Sequence, residues 1–194
     1  MRQSTAGSNS GGTSEEATSA ALTVTRPELL DAGSDREFRR LVHNLFGFLA
    51  RHEAIREGHG AYIGLVGIEY TILISIAHLA AEADVSIRTV ADHLHLSGAF
   101  VTTVTKRLLA KGLVDKAMDP NDRRRLCLTV TDQGRALLRQ LAPVQRQVND
   151  VEFASLSADD FRRLSAMVQR LLDSSEQALA LQRRLAAAAS AERR

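Results

Sequence analysis

From Asp35 onward the apolar side chains recur at the three- and four-residue spacing of a helix: Phe38, Leu41, Val42, Leu45, Phe48 and Leu49, with His52 on the same stripe. That pattern predicts a first helix, closed by a loop that Gly58, Gly60, Gly64 and Gly67 mark. Ile68 to Ala81 is apolar around most of a helical circumference and reads as a buried second helix. Two short helices follow, one from Ser86 as N-cap to Leu94 and one from Ser97 as N-cap to Lys111, where Gly112 stops the second helix. Only His95 and Leu96 separate them, the length of the turn in a helix-turn-helix.

Beyond Gly112 the period changes. Leu113-Val114 and Leu126 to Val130 are β-prone runs separated by Asp119-Pro120-Asn121-Asp122, whose residue types favour a turn, so a β-hairpin with a basic tip is expected. Because it follows the second helix of the pair directly, it reads as the wing of a winged helix. Two more helices are expected, Thr131 to about Phe153 with Pro143 as a kink, and Ser157 to about Leu185. Phe161, Leu164, Val168, Leu171, Leu172, Ser175, Ala178 and Leu179 give the last helix a long stripe that needs a partner surface, most commonly supplied by a two-fold dimer. Residues 1–25, rich in Ser, Thr, Gly and Ala, read as a disordered tail, and Ala186 to Arg194 as a fraying end.

The expected fold is therefore mainly α with a small β-wing. A single domain over 35–185 contains a winged helix-turn-helix lobe (68–131) and a helical dimerisation region from the N- and C-terminal helices (35–57 and 132–185).

Composition narrows the class of protein. The 194 residues suit one domain, and a 44% hydrophobic content with no Trp and two Tyr points to aliphatic helix packing. The single cysteine, Cys127, cannot form an internal disulfide, and no charged start, apolar core and small-residue cleavage site combine near Met1, so a cytoplasmic location is expected. The longest apolar run, near Ile72 to Ala81, is broken by Ser75 and His78 and is too short to span a membrane. The net charge of +2 is unevenly placed: residues 86–131 hold eight basic and four acidic side chains, a local net of +4.

Asp119-Pro120-Asn121-Asp122-Arg123-Arg124, followed by Val130-Thr131-Asp132-Gln133-Gly134, resembles the wing signature of the MarR family of bacterial regulators. Thr102 to Val114, ending Lys111-Gly112-Leu113-Val114, resembles that family's recognition helix and the turn after it, and the resemblance covers about residues 35–180. It implies a homodimeric, sequence-specific regulator of transcription that binds a pseudo-palindromic double-stranded DNA operator, a repressor released by a small aromatic or phenolic ligand. It also implies that Arg124 enters the minor groove, that Asp122 braces it by an ion pair, and that Arg123 meets phosphates or the wing's outer face. A narrow minor groove has the negative potential that attracts Arg. Relatives often carry a basic residue where this chain has Thr103, so their base preference does not transfer. A crevice for aromatic anions in such relatives would be bordered here by His43, Arg51, His52, Tyr62 and Tyr70, basic and hydroxyl groups suited to a carboxylate.

The residues themselves point the same way. A helix N-terminus presenting Ser97, Ala99, Phe100, Thr102 and Thr103 fits the major groove, with Lys106 and Arg107 as its basic members. Ser97 and Thr102 can donate to phosphates, Thr103 and Lys106 can reach base edges, and Phe100 can touch a thymine methyl. No metal or cofactor is expected, since the six histidines are scattered without metal-ligand spacing. No catalytic residue is expected either: phosphate-cradling glycine loop, nucleophile elbow and paired acid and base are all missing. The alternative reading is a helical interaction module of the same fold without specific DNA binding, motivated by the lack of basic residues from Ser97 to Thr105.

Overall fold

The computed structural model describes residues 21–118 and 126–193. The expected wing tip, with Asp122, Arg123 and Arg124, lies outside the described residues, as does most of the expected N-terminal tail. Where the sequence suggests one domain, the chain divides into two compact units, Met1–Ala54 and Ile55–Arg194, with the boundary inside the first helix.

In the first unit, residues 21–25 were expected in a disordered tail, yet they are tied down at Thr23. Its N–H and hydroxyl both donate to Asp35 Oδ2, at 2.8 and 2.6 Å. Asp35 is only 2% exposed, and a carboxylate so enclosed needs such donors; Arg39 adds a third at 2.9 Å. Composition alone does not register a contact of this kind. A short 3-10 turn, Pro27–Leu29, intervenes, and α1 (Arg36–Tyr62) begins one residue after Asp35. Its Leu41, Leu45, Phe46 and Leu49 are exposed.

In the second unit α1 continues through Gly58 and Gly60, which the sequence reading placed in a loop. At Gly60 the physical reason is close packing rather than chain breaking, since a Cβ there would stand 2.8 Å from the Leu65 carbonyl oxygen, whereas a Cβ on Gly58 would meet open space. The loop is confined to residues 63–66, turned by Gly64 at φ +73°. Then come α2 (Gly67–Leu79), α3 (Ile87–Leu94), α4 (Gly98–Ala110), β1 (Val114–Met118), β2 (Leu126–Val130), α5 (Asp132–Glu152) and α6 (Ala158–Ala191). Pro143 lies inside α5, which continues on both sides of it. α6 runs past Leu185 through the alanines expected to fray, because alanine is the strongest helix former.

Ile72, Leu73 and Ile76 of α2 form the centre of the core with Val90 of α3, Val101, Val104 and Leu108 of α4, Val114 and Leu128 of the strands, and Leu141 of α5. β1 and β2 are antiparallel, with Val114 opposite Val130 and Lys116 opposite Leu128. The Leu128 N–H also donates to the Val85 carbonyl at 2.7 Å, which ties the hairpin to the segment ahead of α3. α6 buries none of its residues.

The start of α5 is built on one crowded contact. Thr131 caps the helix by accepting the Gly134 N–H (3.1 Å), and its hydroxyl donates to the Gly112 carbonyl (2.7 Å). A Cβ on Gly134 would fall on the Leu113 carbonyl oxygen and 2.7 Å from Val130 Cγ1. By contrast Thr105, 2% exposed in α4, has a hydroxyl with no hydrogen-bond partner among the described residues.

Both contacts can be tested by stability. In denaturant melts Gly134→Ala is expected to lose about 1–3 kcal/mol by overpacking, whereas Thr105→Val, an apolar substitute of the same shape, is expected to gain about 1 kcal/mol; a Gly134→Ala protein as stable as the parent would refute the first. Acid should act at the caps. Asp160 is held below the usual carboxylate range by hydrogen bonds from Ser157, and Asp132 by Arg135. A folded pKa below the unfolded one means stability present above about pH 4 and lost as pH falls through the folded value. Asp160→Asn should therefore lower Tm at pH 7 and leave it unchanged below about pH 2, where both side chains are neutral.

Candidate nucleic-acid interface

α3 and α4 meet at a turn whose geometry is carried by His95. Its backbone is left-handed (φ 53°), and the bonds His95 N–H to Asp92 O and Leu96 N–H to Ala91 O (2.9 Å) close α3 in a Schellman arrangement. Glycine is the residue that usually supplies this conformation; here an exposed histidine does. Ser97 then caps α4, its hydroxyl oxygen accepting the Phe100 N–H at 3.2 Å. The Ser97 cap falls where the sequence pattern predicts it.

α4 is two-sided. Val101, Val104, Thr105 and Leu108 are buried, so Ala99, Phe100, Thr103, Lys106 and Arg107 project together from the opposite face, with Thr102 half-buried at its margin. No acidic side chain interrupts that face. Of the residues expected to contact DNA, Ser97, Ala99, Phe100, Thr103, Lys106 and Arg107 are thus exposed on one helix, while Asp122, Arg123 and Arg124 fall outside the described residues. The structure differs from the expectation for Thr102. Its hydroxyl, read as a phosphate donor, donates to the Gly98 carbonyl (2.7 Å), and Thr103 likewise donates to Ala99 O (3.0 Å).

The far end of α4 is fixed by Gly112, the stop that the sequence predicts, and by a partner of Lys111 that sequence reasoning did not single out. Gly112 takes the left-handed conformation (φ +67°), and Lys111 Nζ donates to Glu69 Oε2 at 2.6 Å. Glu69 is 3% exposed in the first turn of α2. Glu57 stands beside it, accepting the Gly67 N–H at 2.9 Å, so two carboxylates meet the positive end of the α2 dipole. One signal could have found Glu69: a lone charge in an otherwise apolar helix needs a partner.

The residues expected to hold an anionic ligand are not gathered at one place within either unit. His43 and His52 are nine residues apart on a continuous helix, which turns them roughly 180° from each other. Arg51 Nη1 donates to the Gly47 carbonyl (2.8 Å) and His52 stacks on Phe48. In the second unit Tyr62 is exposed, whereas Tyr70 is buried against His59 with Gln145 donating to its oxygen at 2.9 Å. Burial pushes the Tyr70 phenol above its ordinary pKa. Among the described residues no three His, Cys, Asp or Glu side chains gather as metal ligands, and no single helix is long and apolar enough to cross a membrane.

Residues 63–125, from the loop before α2 through the expected wing tip, match the sequence model of the MarR family. The winged-helix segment of this chain is similar to the MarR family. The chain is 28% identical to the HTH-type transcriptional repressor NicR of Pseudomonas putida over 130 residues, 66% of this chain and 79% of that protein. Among solved structures it is similar to Bordetella bronchiseptica BpsR, whose DNA binding is regulated by 6-hydroxynicotinic acid (25% identity, TM-score 0.56, covering 68% and 91% of the two chains). It shares its fold with a mutant E. coli MarR complexed with operator DNA (20% identity, TM-score 0.59, covering 70% and 96%). The MarR-family winged helix accounts for α2 to β2, including the two-strand sheet. At the turn between α3 and α4, His95→Gly is expected to stabilise the protein by about 0.5–1 kcal/mol by removing left-handed strain at an exposed position. Thermal melts check it, and a lowered Tm would mean that the imidazole makes a contact worth more than the strain.

Proposed function

We propose that this protein is a homodimeric MarR-family repressor that sets one α4 into each of two successive major grooves of a pseudo-palindromic operator and is released by a small aromatic or phenolic ligand. The observation that carries the reading is the exposed face of α4, which is free of acidic side chains, ends in Lys106 and Arg107, and is braced from behind by a fully buried core. Such a face suits close approach in the major groove, and its cations suit phosphates. Two recognition helices on a two-fold dimer would meet grooves about one helical turn apart.

Dimerisation is supported by α6, whose Phe161, Leu164, Val168 and Leu171 are exposed on a helix that buries nothing within its own chain. The similarity to NicR, a named repressor, supports repression. The similarity to BpsR supports a hydroxylated aromatic carboxylate as the ligand class. To release DNA, the ligand must bind the DNA-incompetent arrangement more tightly, since equal affinity shifts nothing.

The test is fluorescence anisotropy of the full chain on a duplex from directly upstream of its own gene, beside a scrambled duplex, at about 150 mM salt. Selective binding is expected, with Lys106→Ala and Arg124→Ala each weakening it and each lowering the log–log salt slope by about one. Equally weak binding to both duplexes would overturn the proposal and favour a protein-interaction module. Addition of 6-hydroxynicotinic acid to the complex then tests the ligand class; undiminished anisotropy at millimolar concentration would remove that compound from it.

A further inference from the structure

We infer that the first two turns of α4 select A·T base pairs, through two threonine hydroxyls committed as hydrogen-bond acceptors and an apolar surface that meets thymine methyls. The inference rests on the DNA-binding reading above and names the class of base pair which that site reads.

A hydroxyl has one hydrogen to donate. In Thr102 it is given to the Gly98 carbonyl at 2.7 Å and in Thr103 to the Ala99 carbonyl at 3.0 Å, so what each hydroxyl offers outward is lone pairs. The bond back to the preceding turn also holds the side-chain rotamer, which is stiff in a β-branched residue. In the major groove an outward acceptor is matched by an amino group, adenine N6 or cytosine N4, and is opposed by guanine, which shows only the acceptors N7 and O6.

The remaining choice is between A·T and C·G, and the rest of the face decides it. A cytosine under either threonine would bring its partner guanine to the helix, and guanine calls for a donor. From Ser97 to Thr105 the chain has no Arg, Lys, Asn or Gln to supply one. An adenine brings thymine instead, whose methyl would meet Ala99, the methyl of Thr103 and the ring of Phe100, which is 44% exposed. Ser97 differs from the two threonines, because its oxygen accepts the Phe100 N–H and its hydrogen remains for a phosphate. Arg107, one turn further on, can neutralise a phosphate, and Lys106 lies beyond the two turns whose selection is inferred here.

The experiment begins with selection of binding sites by the full chain from a duplex library with a randomised centre, followed by affinity measurements on the selected duplex with single modified bases. A·T pairs are expected at the positions protected in the major groove of each half-site. Replacing thymine there by uracil, which removes only the methyl, should weaken binding about fourfold per contacted methyl, the ratio that the transfer of one methyl from water corresponds to. Replacing adenine by purine, which lacks the amino group, should weaken binding of the parent and not of Thr103→Val. Phe100→Ala should narrow the difference between the thymine and uracil duplexes while retaining the far-ultraviolet circular dichroism of the parent. Guanine or cytosine at those positions, or affinities that ignore both the methyl and the amino group, would overturn the inference and leave DNA binding standing. Failure of the library to yield any preferred sequence would overturn the DNA-binding reading itself, and this one with it.

Discussion

The packing of Gly134 against the Leu113 carbonyl is the constraint on which the second unit depends. Only a residue without a Cβ lets the first turn of α5 come so close to the chain leaving α4. Once it does, one hydroxyl of Thr131 caps α5 and closes onto Gly112 at the same time, and the Thr131 N–H reaches the Leu113 carbonyl at 3.1 Å. The end of α4, the outer residues of both strands and the start of α5 are thereby joined through two glycines and a threonine. The hydrophobic core sets how much free energy holds these elements together; this junction sets the direction in which α4 points.

Electrostatics completes the bracing from the other side. Buried Glu69 accepts from the ammonium of Lys111, whose own side chain stays exposed, and Glu57 holds the Gly67 N–H, so the N-terminus of α2 is anchored to α1 and to the end of α4 together. Leaving Glu69 buried without Lys111 would cost far more than the pair contributes when intact. Gly67 has no room for a side chain, because a Cβ would lie 2.7 Å from the Glu57 carboxylate. Glycines 60, 67 and 134 thus share one role, the admission of neighbouring chain or carboxylate into space that a methyl would fill.

Much of this was legible in the sequence. Ser97 and Thr131 are caps whose chemistry is local, the all-round apolar α2 can only be a core helix, and the β-prone runs around the turn residues give the hairpin. What escaped depends on residues distant in sequence. Gly60 looks like a helix breaker until the returning chain at Leu65 is in place, and Thr23 looks like tail until Asp35 is found buried. The candidate site divides in the same way. Periodicity identifies the exposed face of α4, whereas the commitment of the Thr102 and Thr103 hydrogens to backbone carbonyls, and the pairing of Glu69 with Lys111, require coordinates.

The segregation of charge along α4 also bears on how such a regulator can change over evolutionary time. Its cations sit in the later turns, and the earlier turns are neutral. General attraction to a polyanion and discrimination among its sequences therefore reside in different side chains. On the proposed reading, a substitution at Ala99, Phe100 or Thr103 would redirect the protein to another set of sequences without weakening its hold on DNA at large, since those side chains stand on the solvent side of a helix whose core contacts lie elsewhere. Duplicated copies of such a gene could part company through one or two exchanges there, each step keeping a folded, DNA-associated protein.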